Sequence, residues 1–187
     1  MAVMTSVATH VEVRVWARST TWVANEIARV MLDTVVARGL PLDYMHSNLK
    51  ALTDGFRTWI AGRWLKGAIV EVYDTASDTM VERFDLDLAY QPTGQGGRER
   101  FTTDMDRVKA ALAKLPPLRP GCRYHVLADL TDDAPELPGW SDARTRDTGD
   151  LQKNNVGKVI DTARIGVDLS LWVKRSTDDA SHLQPQE

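Results

Sequence analysis

What this chain lacks already narrows its role. A single cysteine, Cys122, stands among 187 residues, so no disulfide can form within the chain and nothing calls for an oxidising compartment. No window approaches the ~18 consecutive apolar residues of a membrane-spanning helix. The opening stretch, MAVMTSVATHVEVRVW, has no basic segment leading into a long apolar run, so it does not read as a signal peptide. Charge of either sign is not in excess. With 23 Lys and Arg against 26 Asp and Glu, the net charge is −3 and the pI about 5.8. Bulk electrostatics would not draw such a molecule onto nucleic acid or an anionic membrane. What remains is an ordinary globular composition, 43% hydrophobic and 26% charged, at a length that suits one domain with a sizeable core. The expectation is a soluble, cytoplasmic, single-domain protein.

Catalytic and metal-binding signals are equally sparse. Cys122-x-x-His125 has metal-like spacing, but no second Cys/His pair completes a ligand set, and strand parity sends the two side chains to opposite faces. Cys122 therefore reads as a buried structural residue. His10, His46 and His182 have no Ser or Cys partner in a recognisable motif. Asp85 and Asp87 share a strand parity and read as its solvated side. Gly94-Gln95-Gly96-Gly97 lacks a following Lys-Ser/Thr and reads as a flexible linker. No cofactor is implied.

The periodicities outline alternating helices and strands. Val11 to Trp16 alternates apolar and polar residues and predicts a strand, with Met1 to Thr9 before it as a mobile arm. Ser19 or Thr20 would cap a helix carrying Val23, Ile27, Val30, Met31 and Val35, which stops at Gly39 and Pro41. A second helix opens at Ser47, presents Leu49, Leu52, Phe56, Trp59 and Ile60, and closes at Gly62. Leu65 to Tyr73 and Arg83 to Tyr90 then form an antiparallel hairpin around Ala76-Ser77-Asp78. A third helix begins near Thr103, carries Met105, Val108, Leu112 and Leu115, and ends at Pro116-Pro117. Cys122 to Leu130 is another strand.

From Thr131 the character changes. Residues 131–163 are largely polar, with only Val156, Val159 and Ile160 hinting at a short helix. Ile165, Val167, Leu169, Leu171 and Val173 then alternate as a late strand, detached by a connection of about thirty residues. Connections beyond about 12–15 residues tend to be functional or disordered. Arg144, Arg146, Lys153, Lys158 and Arg164 scatter charge through this region, either as a solvated segment or as a dock for an acidic partner. Trp140 lies inside the polar connection and Trp172 on the polar parity of the late strand. Each ring either folds back on the body or covers a groove that a partner occupies. Ser176 to Glu187 forms a polar tail.

Several stretches resemble the bacterial HORMA-domain proteins: Trp59-Ile60-Ala61-Gly62 followed by Leu65 to Asp74, Arg83 to Tyr90, Cys122 to Leu127, and Pro138-Gly139-Trp140-Ser141. The order of elements matches from about Trp22 to Lys174. The resemblance implies an α+β fold with a central antiparallel sheet backed by three helices and a C-terminal safety belt. On this reading residues 1–9 are an arm, 10–130 the core, 131–175 the belt and 176–187 the tail. The belt would wrap a closure-motif peptide added as a strand, with Trp140, Ile165, Val167, Leu169, Leu171 and Trp172 as its site residues. The resemblance further implies no enzymatic activity of its own. Its implied role is activation of a cGAS-like cyclic-nucleotide synthase, a nucleotidyltransferase, in anti-phage defence, with an AAA+ ATPase dismantling the complex. A small α/β enzyme or ligand-binding domain is the alternative, and the absence of a convergent catalytic set favours the peptide-binding switch.

Overall fold

The computed structural model describes residues 4–92 and 100–174, with side chains from Arg14 onward. Helix α1 spans Met4–Ala37 and α2 spans Asp43–Ala61; strands β1 (Leu65–Asp74) and β2 (Thr79–Tyr90) follow as a hairpin. Then come β3 (Phe101–Thr103), α3 (Met105–Leu112), β4 (Cys122–Leu130), β5 (Leu151–Thr162) and β6 (Ile165–Lys174). The strands make one six-stranded sheet in the order β3-β5-β6-β2-β1-β4, with every pairing antiparallel.

The helices cover one face of this sheet. Val23, Ile27, Met31 and Val35 of α1 and Leu52, Phe56, Trp59 and Ile60 of α2 bury against Ala68, Val70, Val72, Phe84, Leu86 and Val126. Burying each such large side chain is worth about 1.5–3 kcal/mol. A buried ion pair ties the end of α1 to the sheet: Arg38 donates to both Glu82 oxygens at 2.7 and 2.8 Å and to the Pro116 carbonyl at 2.7 Å.

Four expectations from the sequence change here. The strand foreseen at Val11–Trp16 lies inside α1, which also takes in residues 4–9 of the supposed arm. No Gly or Pro occurs before Gly39, so nothing interrupts the helix, and Trp16, Ser19, Thr20, Val23 and Ile27 continue its inward face. Ser19 and Thr20 are buried in mid-helix and cap nothing; Thr20 donates its hydroxyl back to the Ala17 carbonyl. Residues 1–3, the loop at 93–99 and the tail fall outside the described residues.

Second, α2 begins at Asp43, a turn before Ser47, and Thr103 belongs to β3, with Asp104 capping α3 by accepting from the Arg107 amide at 2.9 Å. Third, Asp85 is not solvated. It is 3% exposed, held by Arg83 at 2.6 Å and by the Trp172 indole N–H at 2.7 Å, whereas Asp87 remains at the surface. Fourth, the helix hinted at by Val156, Val159 and Ile160 is strand β5. Its pairing with β6 shifts register at Asn155/Gly157 and again at Lys158/Ile160, which breaks the period of two in the sequence. The long connection is therefore 131–150, and the late strand β6 sits inside the sheet between β5 and β2.

Candidate functional site

The sheet's two edges are unequal. On one side β3, three residues long, covers only Ile160 to Thr162 of β5 and leaves Leu151 to Lys158 with no strand beyond them; on the other lies β4, nine residues paired only to β1. The outer backbone groups of β4 meet no strand, and among the described residues no backbone hydrogen bond joins them to residues 132–150. A strand edge of this length is a template for another extended chain.

The connection 131–150 leaves the end of β4 and is fastened on both sides of that edge. On the helix side, the Pro135 carbonyl accepts from the Trp59 indole at 2.9 Å. Trp140 lies against α2, 4.7 Å from the Trp59 ring and 5.6 Å from Phe56. Gly55 makes this approach possible, since a Cβ there would stand 2.5 Å from Trp140 Nε1. Six residues later the chain is on the opposite face. The Arg146 amide donates to Glu71 Oε1 at 3.0 Å, and its guanidinium reaches Glu71 Oε2 at 3.3 Å and Asp78 Oδ1 at 2.8 Å. The same guanidinium stacks 3.8 Å from the Tyr73 ring centre and contacts His125 Nδ1 at 3.2 Å. The segment thus passes outside β4 from one face of the sheet to the other.

Glu71 explains why Arg146 is held. Its side chain is fully buried on a strand that is otherwise apolar from Ala68 to Val72, and a buried carboxylate without a cation costs several kcal/mol. Asp78 and Glu71 hold the Arg146 guanidinium, 19% exposed, above the ordinary arginine range despite its partial burial.

The sequence-derived site residues divide. Trp140 is an anchor of the segment beside β4. Ile165, Val167, Leu169 and Leu171 are 0, 0, 1 and 5% exposed and pack into the helix-side core, with β2 and β1 between them and the free edge. Trp172 lies on the other face with Arg83 and Lys153 near its ring at 5.8 and 5.6 Å. These five do not line the β4 edge, because a strand in the interior of a sheet presents its side chains to the layers above and below it. Arg146 and Lys153, read as scattered surface charge, are both engaged. Cys122 is buried beside the edge and burial pushes its thiol up, while His125 faces the other way. Gly55, Glu71 and the hold of Arg146 on Glu71 were not among the residues foreseen from the sequence. Two signals were there: a glycine in mid-helix and a lone carboxylate in an apolar strand.

Comparison with known proteins agrees with this architecture. No curated protein sequence matches the chain. Among solved structures, a chain of the mitotic checkpoint complex superposes with a TM-score of 0.69 at 13% identity, covering 84% of this chain and 99% of that one. HTP-2 of C. elegans bound to the HIM-3 closure motif gives 0.67 at 17% identity, covering 86% and 92%. The CdnC:HORMA-deltaN complex of E. coli MS115-1 gives 0.51 at 11% identity, covering 82% and 88%. The sequence model of the family Bacterial HORMA domain 2 matches residues 5–175. The chain belongs to the bacterial HORMA domain family.

Proposed function

We propose that this protein is a non-enzymatic peptide-binding switch, in which an extended closure-motif peptide adds as a strand to the free edge of β4 and residues 131–150 close over it as a safety belt. The observation that carries the proposal is the nine-residue open edge crossed by a segment anchored on both faces. Strand addition of this kind draws affinity from main-chain hydrogen bonds and specificity from alternate side chains. The helix-side rim offers Tyr124 and Val126, with Tyr44 of α2 stacked edge-on at 6.0 Å from Tyr124; the other side offers Arg123, His125 and Leu127. Trp140 acts as a belt anchor, and β6 serves as the strand that completes the sheet. HTP-2, which shares the fold and is bound to the HIM-3 closure motif, supports a closure-motif peptide as the ligand class.

Selection from a random peptide display library tests this reading. Recovered peptides are expected to protect the amides of β4 from hydrogen exchange and to lose binding to the Trp140→Ala chain. Recovered peptides that protect another surface would overturn it.

In the same proposal the peptide-bound form activates a cGAS-like cyclic-nucleotide synthase in anti-phage defence, and an AAA+ ATPase dismantles the assembly. Membership of the family and the shared fold with the E. coli CdnC:HORMA-deltaN complex support this extension. Oligonucleotide synthesis from ATP and GTP should rise only when the peptide-loaded protein is added to the synthase. Equal rates with and without it would refute the activating role.

A further inference from the structure

The belt's fastening on the second face contains a histidine whose protonation state the geometry fixes. Arg146 Nη1 lies 3.2 Å from His125 Nδ1. A guanidinium can only donate, so Nδ1 must offer a lone pair. The ring is then neutral with its proton on Nε2, which points at the Tyr73 hydroxyl at 3.3 Å. His125 also stands directly across the β1–β4 ladder from Glu71, the buried carboxylate that Arg146 satisfies. Directly opposed residues of an antiparallel pair have Cβ atoms about 4.5–5.5 Å apart, close enough for an ion pair.

Two cations therefore compete for one buried anion. With the belt closed, Arg146 neutralises Glu71 and His125 must stay neutral. With the belt lifted, Glu71 loses its guanidinium, and an imidazolium at His125 can take its place from the neighbouring strand. We infer that His125 is a proton-operated release for the belt: acidification stabilises the unlatched state by supplying Glu71 with a replacement cation. The charged and titratable groups around His125 are Glu71 and Tyr73 on β1, Asp78 in the β1–β2 turn, Arg123 on the same face of β4, and Arg146 of the belt itself. Of these, Glu71 favours the imidazolium, Arg123 opposes it, and Arg146 opposes it only while latched. Asp78, bound to the Arg146 guanidinium, is a second carboxylate: it favours the imidazolium and has no cation to offer Glu71 when Arg146 departs. The switch needs no ligand, although its use in peptide release rests on the proposed belt function.

The Arg146 amide reports the latch directly, because it donates to Glu71 at 3.0 Å. Its hydrogen-exchange protection, corrected for the intrinsic rate, is to be measured in the full chain between pH 8 and 5. The range spans the proton uptake of ordinary histidines, about pH 5–8. Opening linked to uptake of one proton lowers protection by up to about tenfold per pH unit. The wild type is expected to show that fall, and His125→Gln, whose carbonyl can still accept from Arg146, a flat profile with unchanged protection at Val70. A fall of equal size in His125→Gln, or a flat wild-type profile, would overturn the inference. The 15N shifts of the His125 ring in the wild type give a second reading. Proton uptake in step with loss of Arg146 protection supports the release, and uptake with the latch intact refutes it. Failure here leaves peptide capture standing, and failure of peptide capture leaves this measurement unaffected.

Discussion

Gly55→Ala sets two known effects of opposite sign against each other. Alanine in mid-helix gains about 1 kcal/mol over glycine from propensity alone. Here its Cβ would meet Trp140 Nε1 at 2.5 Å and Cε2 at 2.9 Å, too close for the ring to stay. Displacing the indole gives up its contacts with Trp59 and Phe56, about 1 kcal/mol each. It also re-exposes about 100 Å2 of apolar surface, worth about 2.5 kcal/mol at ~25 cal/mol per Å2. The net is a loss of about 3.5 kcal/mol on the belt side of the molecule. In a Trp140→Ala background the clash has gone, so the same substitution should stabilise by about 1 kcal/mol. The cycle of four proteins is measured by urea denaturation, with tryptic cleavage after Arg144 reporting the belt separately. Reversal of sign between the two backgrounds is the expected result. If Gly55→Ala destabilises both backgrounds equally, Gly55 serves some other contact and the Trp140 anchor is misassigned.

Other expectations follow from single residues. Arg146→Ala leaves Glu71 buried without a cation and should cost about 3–5 kcal/mol by denaturant titration, and adding Glu71→Gln should recover most of it. A chain ending at residue 150 should show no native circular dichroism spectrum. It discards Ile165, Val167, Leu169 and Leu171, together about 6–12 kcal/mol of burial, which is comparable to the whole stability of a domain. Burial raises the Glu82 carboxyl above its usual 4.5, so the stability this group contributes is present below that value and lost as pH rises through the folded-state value. Glu82→Gln should accordingly flatten the stability profile above pH 4.5, checked by thermal melts across the pH series. Cys122, buried and with its thiol pushed up, should react with a disulfide reagent at pH 8 no faster than the protein unfolds, and a rapid stoichiometric reaction would contradict its placement.

How much of this was legible in the sequence depended on the length of each signal. Helix α2 and the β1–β2 hairpin carry apolar positions over several turns or pleats, and they were readable apart from their exact ends. The six residues Val11 to Trp16 were too few to decide between periods of 2 and 3.6, and the missing breaker before Gly39 was the better guide. Strand β5 hid its pattern behind two register shifts and the exposed run Gln152 to Asn155. Trp140 stood out as an aromatic in a polar stretch, and the structure gives it a partner in α2. What a single sequence cannot carry is which strand lies at the edge, because order in a sheet is set by pairing between distant segments. Reading β6 as a detached strand placed the candidate site three strands away from β4, and Ile165 to Leu171 proved to be core.

The contrast between the two sheet edges bears on how the protein avoids its own kind. At one end β3 covers only Ile160 to Thr162 of β5, and the rest of that edge carries two register shifts and the exposed Lys153 and Lys158, common safeguards against edge-to-edge growth. At the other end β4 has nine residues, two of which, Tyr124 and Val126, are strong strand formers. The connection 131–150 is the only segment among the described residues that crosses this edge. It is therefore also a guard against polymerisation: while fastened at Trp140 and Arg146 it denies two copies the edge-to-edge approach that strand pairing needs. Unfastening it at either point leaves an exposed adhesive edge, and soluble aggregates rather than unfolded chains become the characteristic failure of a loosened molecule.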